Sequence, residues 1–178
     1  NEKDTKKAII EDSDGRWLKT GDVASIDDQG FVRIVGRIKD ILLLANGEKV
    51  PPSDIEAAIA NDPLFEQVVV LGEGRSYLAA IVVVEPELWK QMCSEQGWID
   101  QDITRPDVVT ALLARVKLQM GQFPGYARIR KLYATSEEWT VESGLMTPTL
   151  KVKRPQVMER YAKEIAALYL GHNLYKSD

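Results

Sequence analysis

The chain has 178 residues, room for one sizeable domain or for a domain with an appendage. Hydrophobic residues make up 44% and charged residues 28%, an ordinary globular composition, and the net charge of −4 argues against a general nucleic-acid binder while leaving local basic patches open. Cys93 is the only cysteine, so neither an internal disulfide nor a Cys-based metal cage can form.

A reducing, cytoplasmic setting is the expectation from that cysteine usage. No apolar run approaches the ~20 residues a membrane-spanning helix needs. The polar start, Asn1 to Lys7, has no signal-peptide core and no initiator Met, so the chain is expected to be a piece of something longer.

Residues 1–35 read as a lead-in. Val23–Ile26 and Phe31–Val35, apolar and β-branched, flank the Asp/Gly-rich turn Asp27–Gly30, which predicts a β-hairpin. One hairpin cannot make its own core, so it should pack onto the domain C-terminal to it or belong to a sheet that continues elsewhere. Ile41–Leu44 is a short apolar strand running to the turn pair Asn46-Gly47. Pro51 and Pro52 precede Ser53 and Glu56, the spacing of a capping box, and a helix with Ile55 and Ile59 on one face is expected to about Asn61.

Val68–Leu71 and Tyr77–Val84 predict a second, central hairpin around Gly72–Ser76. That glycine-bearing turn joins two strands and opens no helix, so it is not a phosphate loop. Pro86 opens a helix through Gln96 that Gly97 ends, with Cys93 as a small packing residue inside it. Thr104, Pro106 and Asp107 mark another start, and Val108, Leu112, Val116 and Met120 recur at helical spacing up to Gly121. Ile129–Ala134 is a further strand. Pro155 starts a last helix in which Val157, Tyr161, Ile165 and Leu168 form one stripe and Gly171 is the cap; His172 is a helix-end residue before a frayed tail. The sum is an α+β domain: a central sheet of about three strands flanked by helices, preceded by a β-hairpin lead-in.

Three constellations carry chemistry. Asp22, behind the Thr20-Gly21 turn, and Arg37, in Gly36–Asp40, bracket the first hairpin, which brings a carboxylate near a guanidinium. A carboxylate can accept two hydrogen bonds from a ribose diol, and an Arg can donate to the same hydroxyls or to a phosphate. Asn46-Gly47 is a loop where Gly47 allows close backbone approach to a ligand and Asn46 tolerates a left-handed conformation. Lys151, Lys153 and Arg154 lie just before a helix whose N-terminus already carries partial positive charge, a local repulsion of a few tenths to about 1 kcal/mol that an anion would relieve.

The order of these motifs, from about Trp17 to about Ala166, resembles the C-terminal part of the acyl-adenylate-forming (AMP-binding) enzymes, the acyl-CoA synthetase superfamily. Gly36–Asp40 with Leu42–Glu56 after it is similar to the family's hinge motif, and Thr147–Arg154 to the Thr-Pro-Thr-x-Lys-x-Lys-Arg form of its last motif in long-chain acyl-CoA synthetases. The two helices predicted ahead of Lys151 fit the longer C-terminal domain of that branch. The resemblance implies residues 1–36 as the tail of an N-terminal adenylation domain and 37–178 as a C-terminal mobile lid turning at Lys39. It implies Lys151 as the catalytic lysine bridging carboxylate and ATP phosphates, Asp22 and Arg37 as ribose ligands, Asn46 and Gly47 on the CoA pantetheine tunnel, and secondary phosphate contacts for Lys153 and Arg154.

The implied reaction is acyl-adenylate formation from a long-chain fatty acid and ATP, then thioester formation with CoA. The phosphate loop, acyl pocket and Mg2+-binding Glu of such enzymes are upstream parts, so this chain by itself is expected to be inactive and to hold no metal. Its expected partner is its own N-terminal domain, with peripheral membrane association of the full-length enzyme. The alternatives are the lid of an adenylating enzyme that loads a carrier protein, and a non-catalytic binding module with the lid fold.

Overall fold

The computed structural model describes residues 2–171; His172 lies outside them. The chain gathers into two compact units, residues 1–41 and residues 42–178. Among the described residues no helix is long and apolar enough to cross a membrane.

The first unit is helix α1 (Glu2–Ala8) and two antiparallel hairpins, β1 (Ile9–Asp12) with β2 (Gly15–Leu18) and β3 (Asp22–Ile26) with β4 (Val32–Arg37). The β3–β4 hairpin is the expected one; α1 and the β1–β2 hairpin fall in the part of the lead-in where the sequence predicts no element. In the β1–β2 turn the Asp12 carboxylate accepts from the backbone N–H groups of Asp14 and Gly15 and from the Trp17 indole. The unit exposes Trp17, Leu18, Ile26, Phe31, Val32, Ile34 and Ile38. Two-stranded ribbons this apolar and this uncovered have no core of their own.

The second unit is built on a three-stranded sheet in the order β7 (Phe65–Leu71), β8 (Leu78–Val84), β9 (Ile129–Thr135). Strand β8 pairs antiparallel with β7 and parallel with β9. A parallel neighbour cannot be reached by a tight turn and needs a long crossover, here α3 (Pro86–Gln96) and α4 (Pro106–Gln119). Every residue of β8 is buried. Leu78, Ala80, Val82 and Val84 face one cluster with Ile55, Ile59, Trp89, Cys93, Val108, Leu112, Val116 and Met120; Ala79, Ile81 and Val83 face a second with Trp139, Leu145, Val157 and Tyr161. The helical periodicity of α4 is thus the pattern by which it closes one face of the sheet.

Two local expectations are corrected. Helix α2 (Pro52–Ile59) starts with Pro52 in its first turn and Pro51 at the N-cap, and no side chain caps it. Ser53 therefore lies inside the helix, and Glu56 is turned away from a capping box toward partners in other elements. The last helix is two pieces, α5 (Arg154–Arg160) and α6 (Ala162–Leu168), joined at Tyr161. Backbone bonds from Tyr161 N to Val157 O and from Ile165 N to Tyr161 O carry the chain across the joint. Tyr161 itself is buried, with its hydroxyl accepting from the Trp139 indole and donating to Glu137. Gly171 has a positive φ, but the helix has already ended at Leu168, three residues before it.

Leu112→Ala, at a fully buried position of α4, is expected to lower stability by about 2–5 kcal/mol. Ile99→Ala, in the exposed α3–α4 connection, should stay within about 0.5 kcal/mol of the parent. Urea midpoints of the two variants measure the contrast.

Candidate functional site

The Asp22–Arg37 pair is a product of strand register. Asp22 opens β3 and Arg37 closes β4, directly opposite one another in the antiparallel ladder. A β-bulge between Val23 and Ala24 shifts the register by one residue, and the pairs on both sides of it are aligned. Directly opposed side chains share a face, and the Arg37 Nε lies 3.4 Å from Asp22 Oδ1. The approach to Asp22 is set by Thr20, whose hydroxyl accepts from the Asp22 N–H, and by Gly21, whose carbonyl accepts from Ile38 N–H and whose positive φ suits only glycine without strain. Arg37 is mostly exposed, so both groups keep hydrogen-bonding capacity for a ligand. Lys39 comes at once in an exposed 3-10 turn, Ile38–Asp40, at the end of the first unit.

Asn46 and Gly47 form the tip of a small hairpin of the second unit, β5 (Leu42–Leu43) with β6 (Lys49–Val50). Gly47 N–H donates to Leu44 O, and Leu44 N–H to Glu48 O, the frame of a turn that ends in one left-handed residue. Gly47 takes that residue at φ +85°, whereas Asn46 keeps a negative φ. The left-handed position falls to Gly47, and the Asn46 side chain accepts from the Glu48 N–H, an Asx turn that holds the tip. The hairpin is anchored on the β7–β8 turn, with Ala45 N–H donating to Arg75 O, Gly74 N–H to Leu43 O, and Leu43 N–H to the Glu73 carboxylate. A side chain at Gly72 would crowd the buried Leu78, which would have to shift to admit it.

Lys151 lies at the end of a second tight turn, Thr147 to Lys151, inside a narrow hairpin. Met146 and Val152 bridge, and Lys153 N–H donates to Leu145 O. The hairpin is tied to the sheet by Gln67 of β7, which donates to Trp139 O and accepts from Trp139 N–H while its amide also reaches the Met146 sulfur. Trp139 and Leu145 are buried in the second core cluster. Behind Trp139, burial pushes the Tyr161 phenol up, which keeps it a donor, and the Arg160 guanidinium holds the Glu137 carboxyl below its usual range, which keeps it an acceptor. The turn itself contains a non-glycine residue with positive φ, Leu150 at +57°, largely exposed. A left-handed L-residue costs roughly 1–2 kcal/mol, so the surrounding bonds must over-determine it. At the tip the Lys151 ammonium is exposed and has no carboxylate partner among the described residues.

The neighbouring cations divide. Lys153 is half-buried at the N-cap of α5. Arg154 is committed to the fold: one nitrogen donates to Val70 O at 2.6 Å and another to Glu56 Oε1 at 2.5 Å, and the same Glu56 oxygen accepts from Val70 N–H at 2.8 Å. For Arg154, the repulsion expected at this helix N-terminus is answered by the Glu56 carboxylate of α2. Sequence reasoning does not single out Thr147, Leu150, Gln67 or the true role of Glu56. Pro148 between two threonines is a readable turn signal; the other three depend on partners far along the chain or on a strained conformation. Cys93 is buried and its thiol is pushed up by desolvation, in keeping with a packing role.

Residues 39–173 match the family described as AMP-binding enzyme C-terminal domain, and the chain belongs to that family. Its fold is shared with solved structures of that class. The A domain of a carboxylic acid reductase from Segniliparus rugosus, determined with AMP and a co-purified carboxylic acid, superposes with a TM-score of 0.78 at 31% identity, over 94% of this chain and 25% of that one. Among curated relatives, long-chain-fatty-acid–CoA ligase FadD15 of Mycobacterium tuberculosis is 35% identical over 95% of this chain and 28% of its own length. Human long-chain-fatty-acid–CoA ligase 6 is 35% identical over 93% of this chain and 24% of its own. The chain thus spans about a quarter of the length of the relatives it matches.

Arg154→Met is expected to destabilise the chain by about 1–3 kcal/mol, because it leaves the Val70 carbonyl and the Glu56 carboxylate short of a donor. Arg154→Lys should recover less than half of that loss, since an ammonium cannot fork across both acceptors. Denaturant titration of the two variants, with Glu56→Gln completing a double-mutant cycle, reads the coupling.

Proposed function

We propose that this chain is the C-terminal lid of an ATP-dependent long-chain fatty acid–CoA ligase. The observation that carries the reading is the contrast at Lys151: its ammonium stands exposed on a braced turn with no carboxylate partner among the described residues, while Arg154 three residues on is bound into the fold. An unneutralised ammonium held on a fixed frame suits a site where negative charge builds during reaction. The long-chain ligases among the relatives support the choice of fatty acid and CoA.

In this reading a carboxylate oxygen of the fatty acid attacks the α-phosphorus of ATP and pyrophosphate leaves. Lys151 lies between carboxylate and phosphate, where charge accumulates on both. Asp22 accepts from the ribose hydroxyls and Arg37 donates to them. The lid then turns at Lys39, Lys151 withdraws, and the Asn46-Gly47 hairpin lines the approach of the CoA thiol, which attacks the acyl carbon and expels AMP. Lys153, whose side chain is in no ion pair among the described residues, takes the secondary phosphate contact. Arg154 keeps its structural bonds.

Among the described residues no group of three or more His, Cys, Asp or Glu is placed to hold a metal ion. The partner of the lid is the N-terminal adenylation domain of the same protein, which the apolar surface of the first unit suits. The enzyme is read as cytoplasmic, meeting membranes peripherally.

A second reading is favoured by the reductase neighbour, which also exists as an A-PCP didomain structure sharing 31% identity with this chain. In it the acyl group passes to a carrier-protein thiol. Thioester formation assayed in parallel with CoA and with a carrier protein separates the two.

In the full-length enzyme, Lys151→Ala should abolish ATP–pyrophosphate exchange while thioester formation from supplied acyl-adenylate stays near the parent rate. Equal loss of both half-reactions would contradict the role given to Lys151. The 178-residue chain alone is expected to show no exchange activity, and measurable exchange would sink the assignment as a lid.

A further inference from the structure

The two tight turns of the second unit share one hydrogen-bond frame, and the difference between them points to a residue. In the first, Leu44 N–H donates to Glu48 O, Gly47 N–H donates to Leu44 O, and Gly47 is left-handed. In the second, Thr147 N–H donates to Lys151 O at 2.8 Å, Leu150 N–H donates to Thr147 O at 2.9 Å, and Leu150 is left-handed. In both turns the N–H after the left-handed residue is held by a side chain: Glu48 N–H by Asn46 Oδ1, and Lys151 N–H by Thr147 Oγ1 at 3.0 Å. Glycine adopts the left-handed conformation freely, so the first turn would survive without its side-chain bond. Leucine does not, so the second depends on it.

We infer that Thr147 is the positioning residue for Lys151. It grips the lysine backbone on both sides of the Cα, accepting from the N–H through its hydroxyl and donating its own N–H to the carbonyl. Pro148 presets the turn after it, and the Thr149 hydroxyl lies 3.0 Å from that of Thr147, fixing the rotamer that points at Lys151. With the hydroxyl in place Leu150 stays left-handed and the Cα–Cβ bond of Lys151 has one direction. Without it Leu150 relaxes to negative φ and the lysine stem swings away, although the turn lies at the surface and the core behind it is untouched. The inference rests on the reading of Lys151 as the adenylation lysine. Thr147 touches no substrate; it acts through Lys151, and only in the half-reaction that uses Lys151.

The test compares Thr147→Val, Thr147→Ser and Lys151→Ala in the full-length enzyme, measuring ATP–pyrophosphate exchange and thioester formation from supplied acyl-adenylate. Thr147→Val is expected to lower exchange by about 10- to 100-fold, the scale of a displaced catalytic group. Thioester formation should stay within about twofold, and Thr147→Ser, which keeps the hydroxyl, should restore exchange to within about threefold. Unchanged exchange in Thr147→Val, or equal loss of both half-reactions, overturns the positioning role. If valine is not tolerated in folding, Thr147→Ala carries the same comparison. Lys151→Ala separates the two levels: if it abolishes exchange while Thr147→Val does not, only the positioning role fails, and if Lys151→Ala leaves exchange intact, the reading of Lys151 fails first.

Discussion

Strand β8 is buried along its whole length, and its seven residues alternate between two separate apolar clusters. A slip of one residue would exchange every side chain between the two clusters. Leu78, Ala80, Val82 and Val84 meet the helical side; Ala79, Ile81 and Val83 meet the side of Trp139, Leu145 and Val157. The alternation of small and large residues is asymmetric, so the two registers are not equivalent and one is specified. That single register sets the positions of both candidate hairpins. The turn entering β8 anchors the Asn46-Gly47 tip, and β7, through Gln67, anchors the strand leading to Lys151.

The parallel pairing of β8 with β9 gives the long connection its place. Helices α3 and α4 form that crossover and close one face, which leaves the other face for the chain segment that carries Lys151. Arg154 then stitches the faces together. Its guanidinium, on α5, reaches a carboxylate on α2 and a carbonyl on β7, so three elements share one charged junction of low exposure. Such a junction adds geometric definition more than net stability, because much of its Coulomb energy offsets the desolvation of its own charges.

Much of this is legible in the sequence where the signal is local. Val108, Leu112, Val116 and Met120 announce α4 by spacing alone, and Pro86 with Gly97 bounds α3. The β3–β4 hairpin is readable from its Asp27–Gly30 turn, and with it the approach of Asp22 to Arg37. Glu56 misleads for a physical reason: three residues after Ser53 it has the spacing of a cap, but Pro52 starts the helix one residue earlier, and its true partner lies 98 residues away. The Tyr161 joint keeps the 3.6-residue stripe intact, so periodicity cannot reveal it. Leu150 is illegible on principle, since leucine carries no preference for a left-handed conformation and only the bonds around it hold it there.

For a domain proposed to serve two half-reactions, the distribution of rigidity matters as much as the residues. A group used in one lid position and withdrawn in the other must travel without changing its own frame, or each return would require a new search for geometry. Both candidate tips of the second unit meet that condition, because each closes on main-chain bonds and a side-chain brace and is tied to the same sheet. The 3-10 turn at Ile38–Asp40 is of the opposite kind: it is short, exposed, has no buried residue and lies just before the divide between the two units. Its three residues add nothing to the core, whereas rotation at Leu150 or Gly47 would break the bonds that close the turn. Exposure without packing at residues 38–40 and bracing on both sides of Lys151 are thus opposite local solutions, and a domain proposed to turn as a rigid body needs both.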